Sequence, residues 1–259
     1  MYASVSEVYD LVYAQRQADA RFYAEFVAAH VAERSDAVVM EVGAGTGRVL
    51  LPIARRMPSV TFHAVDTDGE QLAVLNTRVE RLGLGNIIVV NKGIHEIGAS
   101  GSYDVVTAPF RVLQHCLTLD ELAESLRLIA VSLKPAGVFS FDLFNPSIPV
   151  LATVGLLTSD TVNDNLGATI HRQVRVHDRS YVEQTQLVEE TYVVRHPDGT
   201  EQNLRWTYKT RYFFAGEVLP LLREAGLTLD NFYCDFTRTP FGAGEYPGDL
   251  VFVAHKPGN

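Results

Sequence analysis

The chain is poor in cysteine, has no long apolar run and carries no cluster of one positive sign, and each shortage excludes something. Its two cysteines, Cys116 and Cys234, each lie within or beside an apolar segment. Two buried free thiols are therefore expected rather than a disulfide, which fits a reducing, cytoplasmic compartment. No stretch of about 18 apolar residues is present that could span a bilayer, so no membrane partner is expected. Glu7 and Asp10 interrupt the first apolar stretch, and no basic region precedes it, so the N-terminus does not read as a signal peptide. The formal net charge is −9, with no run of Lys or Arg. A nucleic-acid binder must neutralise phosphates, so DNA or RNA is not an expected partner. The histidines show no H-E-x-x-H spacing and no cysteine pair accompanies them, so no metal site is expected.

What is present is an ordinary globular balance, 47% hydrophobic and 20% charged. At 259 residues the chain can bury a full core. Apolar residues at helical spacing mark Phe22 to Ala32, after a short aromatic segment at Tyr9-Asp10-Leu11-Val12-Tyr13. Ala37 to Val42 is a continuous apolar run broken only by Glu41, which reads as a strand buried on both faces of a parallel sheet. Helix and strand then alternate: Val49–Arg56, Val60–Val65, Gly69–Leu82, Ile87–Val90, Tyr103–Thr107, Leu119–Leu133 and Val138–Leu143. Thr118 is the expected cap of the last of these helices, and Lys134-Pro135 its end. Such alternation predicts right-handed crossovers and a doubly wound, mostly parallel sheet of seven strands.

From about Asn145 to Phe214 the pattern changes to three alternating runs, Ala168–Val176, Tyr181–Val194 and Asn203–Phe214, with a turn at His196-Pro197-Asp198-Gly199. An antiparallel β insertion after the fifth strand is expected there. Gly216–Ala225 restores a helix, and Leu227–Tyr233 and Leu250–His255 are the last two strands, the final one read as an antiparallel edge.

The chemistry is concentrated in Glu41-Val42-Gly43-Ala44-Gly45-Thr46-Gly47, where the first strand turns into the first helix of the sheet. Glycines there permit a tight turn and close approach of a ligand to the main chain. A dinucleotide fingerprint, G-x-G-x-x-G, needs glycine at position 48, where Arg48 stands, which argues against a nicotinamide-linked oxidoreductase. The second strand ends on Asp66, a carboxylate able to accept both hydroxyls of a ribose.

G-x-G-x-G with an acidic residue two places ahead resembles the signature of class I S-adenosylmethionine (SAM)-dependent methyltransferases, from about Val38 to Leu143 and more loosely to the end of the chain. The resemblance implies a Rossmann-like methyltransferase fold with SAM as cofactor and S-adenosylhomocysteine as product. It implies that Glu41 reaches the methionine amino group through water, that Gly43 and Gly45 line the methionine portion with Ala44 and Gly47 also at the cofactor, and that Thr67 lies beside the ribose. Backbone groups of Ile94 and His95 are expected at the adenine edge. Many relatives carry a Gly-Asp pair after the third strand, whereas here the segment is Lys92-Gly93-Ile94-His95-Glu96. Tyr9 to Arg16 resembles the lid of small-molecule N-methyltransferases of the amino-sugar and glycine type. By that likeness Tyr13 faces the acceptor and Arg16 pairs with the SAM carboxylate.

After the fourth strand, Ala108-Pro109-Phe110-Arg111 leads to His115. Pro109 and Phe110 are expected against the cofactor, and His115 toward the acceptor, as a base or an orienting partner. Asp142 and Asn145 are candidates for the same rim. The insertion carries Tyr181, Tyr192, Trp206, Tyr208, Arg205, Arg211 and Tyr212, and an aromatic roof suits a cationic amine or a flat ring. Four parts are thus expected: lid helices over 1–34, a cofactor-binding core over 35–145, an insertion over 146–215 covering the acceptor pocket, and the rest of the core over 216–259. The expected function is methyl transfer to nitrogen or oxygen of a small molecule. A SAM-binding sensor without transferase activity, or an enzyme acting on a protein side chain, are the alternatives; a homodimer through the insertion edge is compatible with the sequence.

Overall fold

The structure, a computed structural model, describes residues 2, 4–31, 34, 36–98, 101–245 and 247–258. In chain order the elements are α1 (Val5–Tyr13), α2 (Ala18–Val31), β1 (Val38–Val42), α3 (Leu50–Arg56), β2 (Thr61–Asp66), α4 (Gly69–Leu82), β3 (Ile87–Asn91), β4 (Tyr103–Ala108), α5 (Leu119–Ser132) and β5 (Leu133–Phe144). There follow α6 (Ile148–Ala152), β6 (Gly155–Asn163), β7 (Thr169–Ser180), β8 (Thr185–Arg195), β9 (Glu201–Arg211), α7 (Ala215–Glu224), β10 (Thr228–Tyr233) and β11 (Asp249–His255). They sort into two compact units, residues 17–145 with 213–259, and residues 1–16 with 146–212. The expected 1–34 segment is therefore divided, α2 belonging to the larger unit and α1 to the smaller; Ala32, the expected end of α2, lies outside the described residues. Among the described residues no helix is long and apolar enough to cross a membrane.

The larger unit is built on a seven-stranded sheet in the order β10-β11-β5-β4-β1-β2-β3. The five strands β1 to β5 are parallel, and β11 runs antiparallel between β5 and β10. The last strand is thus antiparallel as expected but not an edge: Leu250 to Ala254 are all buried, and an apolar run buried on both faces belongs inside a sheet. One face packs against α2, α3 and α4 through Phe22, Phe26, Leu50, Ile53 and Leu75. The other packs against α5 and α7 through Leu122, Leu126, Ile129, Val218 and Leu222. Local chemistry sets the helix ends. Asp68 Oδ1 accepts from the N–H groups of Glu70 and Gln71 to open α4, and Gly83 closes it in the left-handed conformation. Thr118 caps α5 as expected, its hydroxyl accepting from Glu121 N. β5 starts at Leu133, ahead of the expected Val138, because Pro135 disfavours helical dihedrals at Lys134 and the chain continues extended.

The smaller unit is a four-stranded antiparallel sheet, β6-β7-β8-β9, with α1 laid on one face. Val8 and Val12 of α1 pack with Ala168, Ile170, Tyr192 and Val194. The expected turn is present, with His196 N donating to Thr200 O and Asp198 accepting from Thr200 N. Two elements of this unit were not expected from sequence, β6 and the short α6. Arg179 fixes α6 by donating to the carbonyls of Val150, Leu151 and Thr153.

Candidate functional site

In the larger unit the glycine loop connects β1 to α3 beside the carboxyl ends of β2 and β4. Gly43 N and Ala44 N both donate to Val65 O, so the chain folds back over β2 as soon as β1 ends. Gly43 has φ +70°, and a Cβ there would lie 2.2 Å from Val112 Cγ2; at Gly47, φ +82°, it would lie 2.5 Å from Leu75 Cδ1. Backbone conformation and packing both require glycine at these two places. Asp66 ties the loop down. Its Oδ2 accepts from Gly45 N at 2.8 Å and its Oδ1 from Asp68 N at 2.9 Å. A carboxylate has about four acceptor sites, so capacity remains for ribose hydroxyls. Thr67 beside it is exposed.

Ile94, His95 and Glu96 form one 3-10 turn, and Glu96 reaches back to accept from Gly93 N at 2.8 Å. The carboxylate of this segment thus closes its own turn. His95 is exposed, its ring lying over Gly93.

Glu41 is 3% exposed, and burial pushes its carboxyl up to about 8, with Arg48 and the Leu50 N–H opposing that rise. Arg48 donates to both oxygens of buried Asp19, at 3.2 and 2.5 Å, and stacks over the Phe110 ring at 4.7 Å. Sequence reading missed Asp19 and its neighbour Tyr23, one turn apart on the buried face of α2. The Tyr23 hydroxyl donates to Asp142 Oδ1 at 2.7 Å, and that same oxygen accepts from Phe110 N at 2.8 Å. Asp142 Oδ2 is buried with no hydrogen-bond partner, and burial raises this carboxyl to about 6. Asn145 donates to the carbonyl of Pro247.

After Pro109 the chain takes two consecutive left-handed residues, Phe110 (φ 59°) and Arg111 (φ 64°). Non-glycine residues in this region store strain, which clusters at functional sites. Asp142 holds the first, and an ion pair with Asp249 at 3.0 Å holds the second. The turn delivers Val112–His115 as a 3-10 segment. His115 reaches solvent, yet the protein atoms around it disfavour the imidazolium and lower its pKa, with Asp66 opposing that fall. A neutral imidazole at this position can accept a proton. Cys116 next to it is a half-buried free thiol rather than a buried one, while Cys234 is buried and free. Among the described residues no group of three His, Cys, Asp or Glu is gathered for a metal.

Tyr13 and Arg16 belong to the smaller unit. There Arg172 donates to the Tyr13 hydroxyl and lies 4.8 Å from the centre of its ring. Arg16 N donates to Tyr13 O at 3.0 Å, closing the turn after α1. Arg172 also grips Asp160 through two nitrogens, at 3.1 and 2.7 Å, and faces buried Glu190 at 3.6 Å. Burial opposes its charge, but Asp160, Tyr13 and Glu190 outweigh that and raise its pKa. Glu190 accepts from Tyr192 OH at 2.6 Å and from Tyr208 OH at 2.8 Å. Tyr9, Tyr13, Trp206 and Tyr208 continue the group, with ring centres 4.4 Å apart for Tyr9–Tyr13 and Trp206–Tyr208 and 5.8 Å for Tyr9–Trp206. Of the expected aromatics, Tyr192, Trp206 and Tyr208 meet here. Tyr181 instead donates to Leu151 O, Tyr212 N donates to Gln184 O, and Arg205 pairs with Glu189 at 3.2 Å.

Residues 39–137 match a family model described as a methyltransferase domain. A curated relative, ribosomal RNA small subunit methyltransferase G of Christiangramia forsetii, is 33% identical over 70 residues, which are 27% of this chain and 32% of that one. The chain therefore spans about a third of that relative's length. Among solved structures, the CcbJ methyltransferase of Streptomyces caelestis aligns with a TM-score of 0.71 and 28% identity, over 92% of this chain and 90% of that one. SAM-bound CalS10 of Micromonospora echinaspora, an amino pentose methyltransferase, aligns at 0.72 with 20% identity over 99% and 98%.

Proposed function

We propose that the protein, whose residues 39–137 match a methyltransferase-domain model, is a SAM-dependent enzyme that methylates an amine nitrogen of a small molecule. The observation that carries the acceptor class is the Glu190-centred group of the smaller unit. Partly exposed aromatic faces of Trp206 and Tyr208 lie beside Glu190, whose carboxylate Arg172 already matches, and such faces attract ammonium ions by about 0.5–2 kcal/mol each. The amino pentose methyltransferase with the same fold supports this reading. The net charge of −9 disfavours an RNA acceptor.

SAM supplies a methyl group activated by its positive sulfur. The residues present fit that cofactor. The left-handed glycine loop brings main chain within reach of a ligand, Glu41 offers a buried carboxylate to its amino group, and Asp66 offers acceptors to its ribose. Ile94 and His95 present backbone groups for the adenine. An amine attacks only through a free lone pair, so its ammonium form must first lose a proton. His115, neutral at pH 7 and open to solvent, takes that proton in this reading. In the smaller unit the Tyr13 hydroxyl, held by Arg172, is a polar group beside these aromatic faces. Alignment then does most of the work, since displacement at carbon needs an in-line approach with water excluded.

Calorimetric titration with SAM, S-adenosylhomocysteine and NAD tests the first half. Micromolar binding of the first two and none of NAD is expected, and binding of NAD alone would overturn it. A screen of amino sugars and other small amines against matched alcohols, read as S-adenosylhomocysteine formed, tests the second half. Turnover confined to the alcohols would replace nitrogen by oxygen as the acceptor. His115→Ala should keep cofactor affinity and lower turnover by about 10²-fold.

A further inference from the structure

Beneath the glycine loop, three carboxylates are buried close together. Asp19, Glu41 and Asp142 are 0%, 3% and 1% exposed and share the neighbourhood of one hydroxyl, that of Tyr23. Arg48 stands next to them with two nitrogens on Asp19. Arg111 faces Asp142 but pairs with Asp249. The groups facing Glu41 are Arg48, Asp66, Asp19, Tyr23 and the Leu50 N–H. Buried ionised carboxylates without matching cations are costly, and the usual remedies are a bound proton or a cation from outside.

We propose that this cluster exchanges a proton for an ammonium group: Glu41 holds a proton before the cofactor binds and releases it when the α-ammonium of SAM or S-adenosylhomocysteine takes its place. This rests on the reading of the glycine loop as the SAM site and adds a linkage to it. The balance is simple. One O–H bond at Glu41 breaks, its proton passes to solvent buffer, and the carboxylate left behind forms an ion pair with the incoming N–H groups. Glu41, raised to about 8, is roughly nine-tenths protonated at pH 7. Each S-adenosylhomocysteine bound at pH 7 should therefore release about 0.9 proton, and its affinity should weaken roughly ninefold between pH 7 and pH 6. The ligand's own amino group titrates near 8, so the range from pH 6 to 7 keeps it charged.

The test is calorimetry on the full chain in phosphate and in Tris, buffers whose ionisation heats differ widely, so that the difference in apparent enthalpy counts protons. Three probes are used: S-adenosylhomocysteine, 5′-methylthioadenosine, which lacks the amino acid portion, and NAD. The expected result is near-stoichiometric proton release with S-adenosylhomocysteine, none with 5′-methylthioadenosine, and none with S-adenosylhomocysteine on Glu41→Gln, which should still bind, more weakly and with little pH dependence. Buffer-independent heat with tight S-adenosylhomocysteine binding overturns the exchange and leaves the SAM site standing. Release that persists in Glu41→Gln overturns its assignment to Glu41, with Asp142→Asn and His115→Ala then locating the group. Absence of binding by either adenosine probe removes the site and the exchange together.

Discussion

Asp142→Asn isolates the energetic cost of one buried charge. The wild-type carboxyl is 1% exposed and raised from 3.8 to about 6, with burial the main cause. A group whose folded pKa lies above its unfolded value binds its proton more tightly in the native state. Its contribution to stability is therefore full below about pH 4 and lost as pH rises through 6. About two pKa units at ~1.4 kcal/mol each correspond to about 3 kcal/mol between pH 4 and pH 7.5. Asparagine keeps the oxygen that accepts from Tyr23 and Phe110, and places an amide nitrogen where Oδ2 has no hydrogen-bond partner. An unsatisfied buried amide costs about 1–3 kcal/mol at any pH. The variant should thus be less stable than wild type by that amount at pH 4 and equal to or above it at pH 7.5. Urea unfolding followed by far-ultraviolet circular dichroism measures this. Fluorescence would not, because the single tryptophan, Trp206, lies in the smaller unit. A stability difference that stays flat to within 1 kcal/mol across this range would refute the reasoning.

Gly43→Ala combines left-handed strain of about 1–2 kcal/mol with overpacking against Val112 of about 1–3 kcal/mol, so the melting temperature should fall on the order of 10 °C and SAM binding should be lost. Gly83→Ala has the same sign of φ and nothing within 4 Å, and should cost only about 1 kcal/mol; equal losses would rule out the contact. Asp66→Asn weakens the hold on Gly45 N and Asp68 N, and should lower SAM affinity at least tenfold with about 1–3 kcal/mol of destabilisation. Unchanged affinity by calorimetry would remove its ribose role. Arg172→Ala leaves Glu190 buried without its cation and should cost about 3–5 kcal/mol, read by Trp206 fluorescence, with Arg172→Met/Glu190→Gln recovering part of the loss.

The parallel core was legible in the sequence because its signals are local. Val38 to Val42 and Tyr103 to Ala108 are mostly apolar, Thr118 and Gly83 punctuate helices, and three left-handed glycines cluster where β1 turns into α3. The signal for β11 is present too, since Leu250 to Ala254 is as continuously apolar as β1, and a run buried on both faces specifies an inner strand rather than an edge. β6 was missed for a physical reason. Its Gly155–Asn163 stretch pairs on one side only, alternates weakly and keeps much of its surface in water. The charged networks were invisible to periodicity, because their partners are remote in sequence. Tyr23 meets Asp142 119 residues away, and Tyr13 meets Arg172 159 residues away. An aspartate on the apolar face of α2 was the one available hint.

The docking of α1 on the antiparallel sheet bears on how this chain emerges from the ribosome. Val8 and Val12 pack with Ala168, Ile170, Tyr192 and Val194, so the helix is made long before the surface it covers. At about 5–20 residues per second it waits on the order of ten seconds with its apolar side exposed, while the parallel strands of the other unit are already being completed. An amphipathic stretch held open for that long invites chaperones or mispairing, and a large tag fused ahead of it would have to be tolerated throughout the delay. Removing α1 would leave Ile170 and Tyr192 without their cover, so N-terminal trimming should show first as aggregation.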